Sequence, residues 1–297
     1  MYSSSISSIT ATGGLEAEMR RIEKSDAPAD IATLAYIWGY PLISMKRLVD
    51  YSTGPNHPLG PGYGPINTFN HFRDLVNANF TNVVRPNQDT LYSPAFLDLK
   101  EPLVLQIPSI SDRYYTLQFV DAYTNNFMFI GARTNVTSGG SYIITGPNWN
   151  ETIPAAMVQI KSPTNLAMIL TRILVNGTSD VPNVNAIQDK FKLSTFEGNL
   201  NSTTSSLSEL GTNLSLNSLN TSHVSPQPEF IPKTGIKIFD EIGKDMIDNP
   251  PYDYDDIVIV KFRTIGIGPD LKPSLTANTT IKQALRMGII NGERLIG

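Results

Sequence analysis

The segment Val83–Ser93, VVRPNQDTLYS, places an arginine, an asparagine and an aspartate within five positions. A carboxylate beside an arginine can act as a general acid or base on a ligand whose anionic group the arginine orients. On this hypothesis Arg85 and Asn87 line a pocket and Asp89 is the acid/base group. Tyr92 would assist it. The alternative is a turn in which the Asn and Asp side chains accept from nearby backbone N–H groups.

A second group of polar residues lies in the segment DRYYTLQFVDAYTNN, residues 112–126. Alternate residues of a strand point to opposite faces, so its polar and apolar residues are predicted to separate. Tyr, Asn and Asp side chains hold sugar hydroxyls by stacking and hydrogen bonds. Asp112 is a second acid/base candidate, with Tyr115 assisting, and the alternative is a solvated sheet face. The ligand-binding candidates here are Arg113, Gln118, Asp121, Tyr123 and Asn125.

Other kinds of site find little support in the sequence. The three histidines, His57, His71 and His223, lack the spacing of a metal site, and the chain has no cysteine. Walker A, G-x-G-x-x-G and G-x-S-x-G patterns are absent. The acidic segment PYDYDD lacks the glycine and the distal glutamate of a calcium loop. The sequence therefore predicts neither a metal nor a cofactor.

The elements that must position these residues change along the chain. From Asp26, apolar residues at three- and four-residue steps predict a helix, which Gly39 and Pro41 are expected to kink or break. From about Val83 the period becomes two, and short strands of a sandwich or barrel are predicted. Helical periodicity returns near the C-terminus, where Thr279 or Thr280 would cap the last helix.

The predicted fold class is therefore α+β, with N-terminal helices packed on an antiparallel β-sandwich or jelly-roll-like domain and with C-terminal helices. The boundaries between the predicted segments lie where the composition or the hydrophobic period changes. The predicted segments are a flexible arm (1–25), a helical segment with a Gly/Pro-rich loop (26–80), a β core (81–190), a Ser/Thr/Asn-rich insertion (191–232) and C-terminal helices (233–297).

Composition excludes several classes of protein. A net charge of -4 and a pI near 5.4 argue against nucleic-acid binding. No apolar run approaches the roughly 20 residues that span a bilayer. The N-terminal sequence lacks the basic and apolar regions of a signal peptide as written. A processed mature chain is compatible with that.

Eight N-x-[ST] sequons indicate an exposed protein of the cell surface or extracellular space. Chance would give about four or five in a chain so rich in Ser, Thr and Asn, so accidental sequons are the alternative. The candidate glycosylation sites are Asn79, Asn135, Asn150, Asn176, Asn201, Asn213, Asn220 and Asn278.

Four motifs in this order resemble the bacterial and archaeal domain-of-unknown-function family 1254. They are YIWGYPL, RPNQDTLYS, DRYYTLQFVDAYTNNFMFIGART and IGIGP. The resemblance implies a helical part followed by a jelly-roll-like domain, usually exported, but no established reaction. Family members typically continue into a second domain, numbered 1214, which this sequence lacks. That absence predicts a homo-oligomer or a partner chain.

Two functional classes, and a variant of the first, follow from these observations. The first is a cell-surface protein that binds glycans or assembles with itself, of which a filament or sheath subunit is a variant. The second is a hydrolase or lyase acting on a polar small molecule or glycan through Asp89 and Arg85. Neither class requires a cofactor, nucleic acid or a membrane span.

Overall fold

The computed structural model describes two compact units. One comprises Met1–Met45 and Ile231–Gly297, and the other comprises Lys46–Phe230. The N- and C-terminal helices therefore share a unit, while the Gly/Pro-rich loop belongs with the strands. Side chains are described from Gly14 onward. The described residues are 3–58, 60–77, 80, 85–134, 136–155, 157–196 and 234–297.

Seven helices lie in the described residues, most of them in the first unit. None of these helices has the length and apolar character needed to cross a membrane. The helix α2 begins in the first unit and continues into the second, where α3 also lies. The seven helices are α1 (Ser3–Lys24), α2 (Pro28–Thr53), α3 (Val181–Gln188), α4 (Lys237–Asp248), α5 (Asp256–Arg263), α6 (Pro273–Thr276) and α7 (Thr279–Ile296).

Helix α2 forms where the sequence predicts it, but it continues through Pro41. The predicted break at this position is therefore absent. Packing explains the continuity, because Leu42 and Ile43 are fully buried directly after the proline. A Cβ at Gly39 would lie 2.4 Å from Ile242 Cδ1, so this glycine lets α4 approach closely. Burial of this face outweighs the hydrogen bond that the proline removes.

The cap of the last helix differs from the prediction. Asn278 caps α7 by accepting the Ile281 N–H at 2.9 Å, so the prediction of Thr279 or Thr280 was wrong by one or two positions. Asparagine is as good an N-cap as threonine, and here it is the residue with extended backbone geometry. Sequence alone does not choose among three adjacent capping residues.

The N-terminal segment differs from the predicted flexible arm, because α1 covers most of it. Ile22 is buried with 1% exposure. Arg21 donates to Asp30 at 2.7 Å, and Arg294 donates to Glu18 at 2.5 Å. These contacts tie the charged half of α1 to α2 and α7, whereas the Ser/Thr-rich start of the chain suggested an arm.

The described residues of the second unit form eight strands in two four-stranded sheets. Sheet A has the order β1-β7-β3-β4 and sheet B the order β6-β5-β2-β8. Every strand pair is antiparallel except β5 with β6. The predicted α+β class is confirmed. The strands are β1 (Thr90–Asp98), β2 (Leu103–Ile107), β3 (Tyr115–Asp121), β4 (Asn126–Gly131), β5 (Gly140–Thr145), β6 (Val158–Lys161), β7 (Leu166–Leu174) and β8 (Lys192–Thr195).

One buried apolar cluster draws side chains from both sheets, as Leu117 of β3 and Leu105 of β2 illustrate. Alternation along β3 is as predicted, since Tyr115, Leu117 and Phe119 are fully buried while the residues between them are not. The face of sheet A opposite this cluster is called here the outer face of sheet A. The finer description as a sandwich or jelly roll stays a prediction.

The predicted insertion begins later than expected. Residues at its start form β8, which pairs with β2, and Phe191 is buried. The low charge of this stretch favoured its interpretation as an insertion, and the short strand was not predicted. The rest of the predicted insertion, residues 197–232, lies outside the described residues.

Candidate functional site

The outer face of sheet A carries Arg172, the charged residue of strand β7. The alternate residues Ile169, Thr171 and Ile173 are fully buried toward the core, so Arg172 points to the opposite face. The antiparallel register places it opposite Tyr92 of β1. The buried neighbours of Arg172 therefore hold its side chain on the outer face of sheet A.

Neutral groups hold the Arg172 side chain in place. Its Nη1 donates to Gln118 Oε1 at 2.8 Å, and its guanidinium carbon lies 5.8 Å from the centre of the Tyr92 ring. Gln118 Nε2 in turn donates to Asn126 Oδ1 at 2.6 Å. These four residues, Tyr92, Gln118, Asn126 and Arg172, are called the Arg172 network. It joins β1, β7, β3 and β4 across the whole sheet.

The Arg172 network has no negative charge of its own. Among the ion pairs of the described residues, none includes Arg172. A guanidinium has five N–H donors, and the only hydrogen bond of Arg172 to a described residue is the one to Gln118. The remaining donors are therefore able to bind an anionic or hydroxylated group above the sheet.

The first sequence motif reaches this network through Tyr92. The Tyr92 hydroxyl accepts the Asn87 backbone N–H at 2.6 Å. Arg85, Asn87 and Asp89 are all exposed beside the start of β1. Asp89 contributes its main-chain carbonyl, which accepts the Val175 N–H at 2.8 Å. The motif thus adjoins the Arg172 network, with its three predicted side chains exposed.

Exposed aromatic rings flank the network. Phe129 of β4 is 47% exposed and lies opposite Gln118 in the strand register. Tyr114, just before β3, is 37% exposed, and the Arg133 guanidinium carbon lies 5.7 Å from its ring centre. Aromatic faces beside hydrogen-bonding side chains are the arrangement that stacks on a sugar ring.

Arg113, predicted to bind a ligand, is instead enclosed by two carboxylates. Its guanidinium donates to Asp112 at 2.8 Å and to Asp180 at 2.6 Å, and its side chain is only 8% exposed. The backbone N–H of Asn176, the amide of Asn183 and the Arg113 guanidinium hold the pKa of Asp180 at about 2. These contacts fasten the end of β7 and give Arg113 a structural role.

The two remaining acid/base candidates of this region have partners of their own. The hydrogen bond from Arg113 lowers the pKa of Asp112, which favours the ionised carboxylate and makes it a weaker proton acceptor. The buried Tyr115 hydroxyl donates to the Val136 carbonyl, and burial raises the pKa of Tyr115. Asp112 and Tyr115 thus have partners within the protein, whereas the side chains of Asp89 and Arg85 are exposed.

Asp121, Tyr123 and Asn125 organise the turn between β3 and β4. Asp121 is fully buried, and its Oδ1 accepts the backbone N–H groups of Tyr123 and Asn125, each at 2.8 Å. Thr124 between them has a φ of 67°, which these two bonds help to hold. The turn therefore uses the Asp121 carboxylate and the backbone N–H groups of Tyr123 and Asn125. Gln118 and Asn126 of the second group belong to the Arg172 network.

A buried polar cluster behind β1 was not foreseen. His71 Nδ1 lies 2.8 Å from Ser93 Oγ, and Gln188 Nε2 donates to the same oxygen at 2.9 Å. Arg73 pairs with Asp189 at 2.5 Å beside them. Burial, with the nearby Arg73 charge, lowers the pKa of His71 to about 4. Because Ser93 is fully buried, this cluster serves to fasten the segment containing His71 to β1 and α3.

The structure adds two observations on metals and glycans. Within the described ranges, no three His, Asp or Glu side chains converge as a metal site would require. Three candidate sequons lie in these ranges, at Asn150, Asn176 and Asn278, and each is exposed outside regular helices and strands. The other five sequons are at Asn79, Asn135, Asn201, Asn213 and Asn220, outside the described residues.

Arg172 is the site residue that sequence reasoning missed. It is the single charged residue of the segment NLAMILTRILV, and its position in the alternation places it opposite the buried residues. That pattern is a usable signal, since a charge in a buried strand needs a partner or a ligand. Its partners come from β1 and β3, however, and a sequence does not specify strand order.

The fold and the network define an α+β protein with a polar, aromatic-flanked sheet face as its candidate ligand site. Residues 66–195 match the model of a family described as a protein of unknown function (DUF1254). The resemblance predicted from the motifs is confirmed over those residues. No curated protein matches the sequence.

Two solved structures are similar to the chain. The crystal structure of the VPA0106 protein from Vibrio parahaemolyticus has a TM-score of 0.65 and 19% identity, and covers 90% of this chain. The match spans 58% of that protein's length. At this identity the similarity shows the fold alone. An uncharacterised protein from Burkholderia cenocepacia has a TM-score of 0.30 and 12% identity, covering 62% of this chain and 48% of its own, and adds no argument.

Proposed function

We propose that this protein is an exported, glycosylated protein that binds a glycan on the outer face of sheet A. The observation that carries the proposal is Arg172, an arginine positioned by neutral partners. A guanidinium without a counter-charge is costly to hold half-buried unless a ligand completes its surroundings. Its unused N–H donors favour a ligand with a carboxylate or another anionic group.

The neighbouring side chains suit the rest of a sugar. The amides of Gln118 and Asn126 offer donors and acceptors for hydroxyl groups. The exposed Phe129 ring offers an apolar face for stacking. Together these groups specify an acidic oligosaccharide, one that contains a uronic acid, over a neutral one.

Three exposed sequons support the export part of the proposal. Asn150, Asn176 and Asn278 lie outside helices and strands, where a glycan is sterically tolerated. Asn278 uses only its Oδ1 as the cap of α7, which leaves Nδ2 for glycan attachment. Mass spectrometry of the protein from its own source, before and after deglycosylation, tests this part. An unmodified mass would overturn it.

Calorimetric titration with a uronic-acid oligosaccharide and its neutral counterpart tests the binding part. We expect the acidic ligand to bind more tightly, and Arg172→Met to weaken that binding at least about ten-fold. Arg20→Met is the matched control, because it removes an arginine that is exposed on α1. Binding by Arg172→Met at the wild-type affinity, or no binding by the wild type, would refute the proposal.

A further inference from the structure

Two exposed apolar strips lie on helices of the first unit. On α5, Ile257 and Val260 are 85% and 65% exposed. On α7, Met287 and Ile290 are 47% and 58% exposed. In each helix the two side chains are three residues apart and therefore share one face. Isolated exposed apolar side chains are ordinary, but paired ones on a helix face indicate a contact surface.

The two strips carry opposite charges in the same arrangement. Asp256 immediately precedes Ile257, and Arg286 immediately precedes Met287, and both charged residues are exposed. Each strip therefore consists of a charged residue, the apolar residue that follows it, and a second apolar residue three positions further along the helix. Among the ion pairs of the described residues, none includes Asp256 or Arg286.

The internal packing of these helices leaves the strips outside. On α5, Ile259 and Phe262 are the buried residues. On α7, the buried side includes Leu285 and Gly288, and a Cβ at Gly288 would lie 2.4 Å from Ala32 Cβ of α2. The chain thus uses the opposite side of each helix for its own core.

The α5 strip extends into an acidic aromatic segment. Tyr254 is 73% exposed and stacks on Tyr252 with 4.9 Å between ring centres. Asp253 beside it is also exposed, so the strip has a second carboxylate. An apolar surface with carboxylates along it attracts an apolar surface that carries a cation.

We infer that a second copy of this chain covers these strips, with α5 of one molecule packed against α7 of the other. Ile257 then contacts Met287, and Asp256 lies beside Arg286. Charge complementarity supports this pairing, because Asp256 beside Ile257 and Arg286 beside Met287 have opposite signs. The contact uses none of the residues of the Arg172 network, so it holds or fails independently of glycan binding.

Native mass spectrometry and sedimentation velocity, from about 1 to 200 µM chain, test this contact. We expect association that rises with concentration. Asp256→Arg and Arg286→Asp should each raise the dissociation constant at least ten-fold, while the double variant with both changes should restore it. Ile257→Ser should weaken association to a similar extent. Glu101→Arg, on a turn of the second unit, is the matched control and should have no effect.

The restoration by the double variant is the decisive result. If Asp256 and Arg286 did not contact each other across the interface, exchanging both charges would not restore the dissociation constant. A wild-type chain that stays monomeric throughout this range would overturn the inference. So would an assembly that Asp256→Arg and Ile257→Ser both leave intact, because another surface would then hold it. Circular dichroism spectra of the variants identify any that fail to fold.

Discussion

Arg113 and Arg172 belong to the same unit, yet their surroundings differ in charge. Arg113 lies between Asp112 and Asp180 with an 8% exposed side chain, so its charge is fully compensated. Arg172 is held by the Gln118 amide and the Tyr92 ring, which are neutral. Contacts position both arginines, and Arg172 lacks a counter-ion among the described residues.

This difference separates a structural arginine from a candidate binding arginine. A buried cation paired with carboxylates stabilises the fold, since either partner alone would be an uncompensated charge. A cation that neutral groups merely position contributes little to stability and leaves donors available. Arg113, in the DRYY motif, was one of two arginines predicted to bind a ligand, with Arg85, whereas Arg172 is the arginine that neutral groups hold on the sheet face.

The largest expected effect on stability is that of Arg113→Met. The change leaves the Asp180 carboxylate, with a side chain only 12% exposed, without its cation. We expect the melting temperature to fall by about 10 °C, as for other broken buried ion pairs. Differential scanning calorimetry measures this, with Arg20→Met as the control. A fall in melting temperature no larger than that of Arg20→Met would show that Arg113 has no structural role.

Acid should weaken the buried cluster behind β1. The folded-state pKa of His71 is about 4, below the roughly 6.5 of an unfolded histidine, so protonation favours the unfolded state. Stability from this group is complete above about pH 6.5 and is lost as the pH falls toward 4. The maximum loss is about 3 kcal/mol of the free energy of unfolding.

Urea titrations at a series of pH values measure this dependence. Carboxylates also titrate in this range, so the comparison is between wild type and His71→Asn. We expect the variant to lose the part of the pH dependence that lies between pH 4 and 6.5. Equal slopes for the two proteins would show that folding does not lower the pKa of His71.

Arg172→Met should change the free energy of unfolding by less than about 1 kcal/mol, because the side chain makes one hydrogen bond and one ring contact. Its effect on binding of the acidic oligosaccharide should be far larger. Chemical denaturation of the same protein sample used for titration gives both quantities. A stability loss as large as that of Arg113→Met would abolish the distinction between the two arginines.

Asp112→Asn should have the smallest effect. The Asp112 side chain is 62% exposed, and solvent screens its interaction with Arg113. We expect the melting temperature to change by less than about 2 °C. Asp180→Asn, which changes the enclosed partner of the same arginine, should lower it more. An equal shift for both variants would mean that exposure does not set the strength of these two pairs.

The elements themselves were largely predictable, and the site was predictable in part. The change of period from 3.6 to two near Val83, and the alternation in β3, follow from which residues bury. The position of Gln118 on the face opposite Tyr115, Leu117 and Phe119 was likewise predicted. The roles of Asp121 and Arg113 were not, because their partners arise from a turn geometry and from a strand end distant along the chain.

Local periodicity and composition thus determined the α+β class, the main strands and the helices that flank them. Tertiary structure alone decided which polar residues meet. Strand order placed Arg172 between Tyr92 and Gln118, which are 80 and 54 positions away along the chain. The physical reason is that a side chain's period fixes the face on which it lies, whereas its neighbours on that face depend on pairings between distant strands.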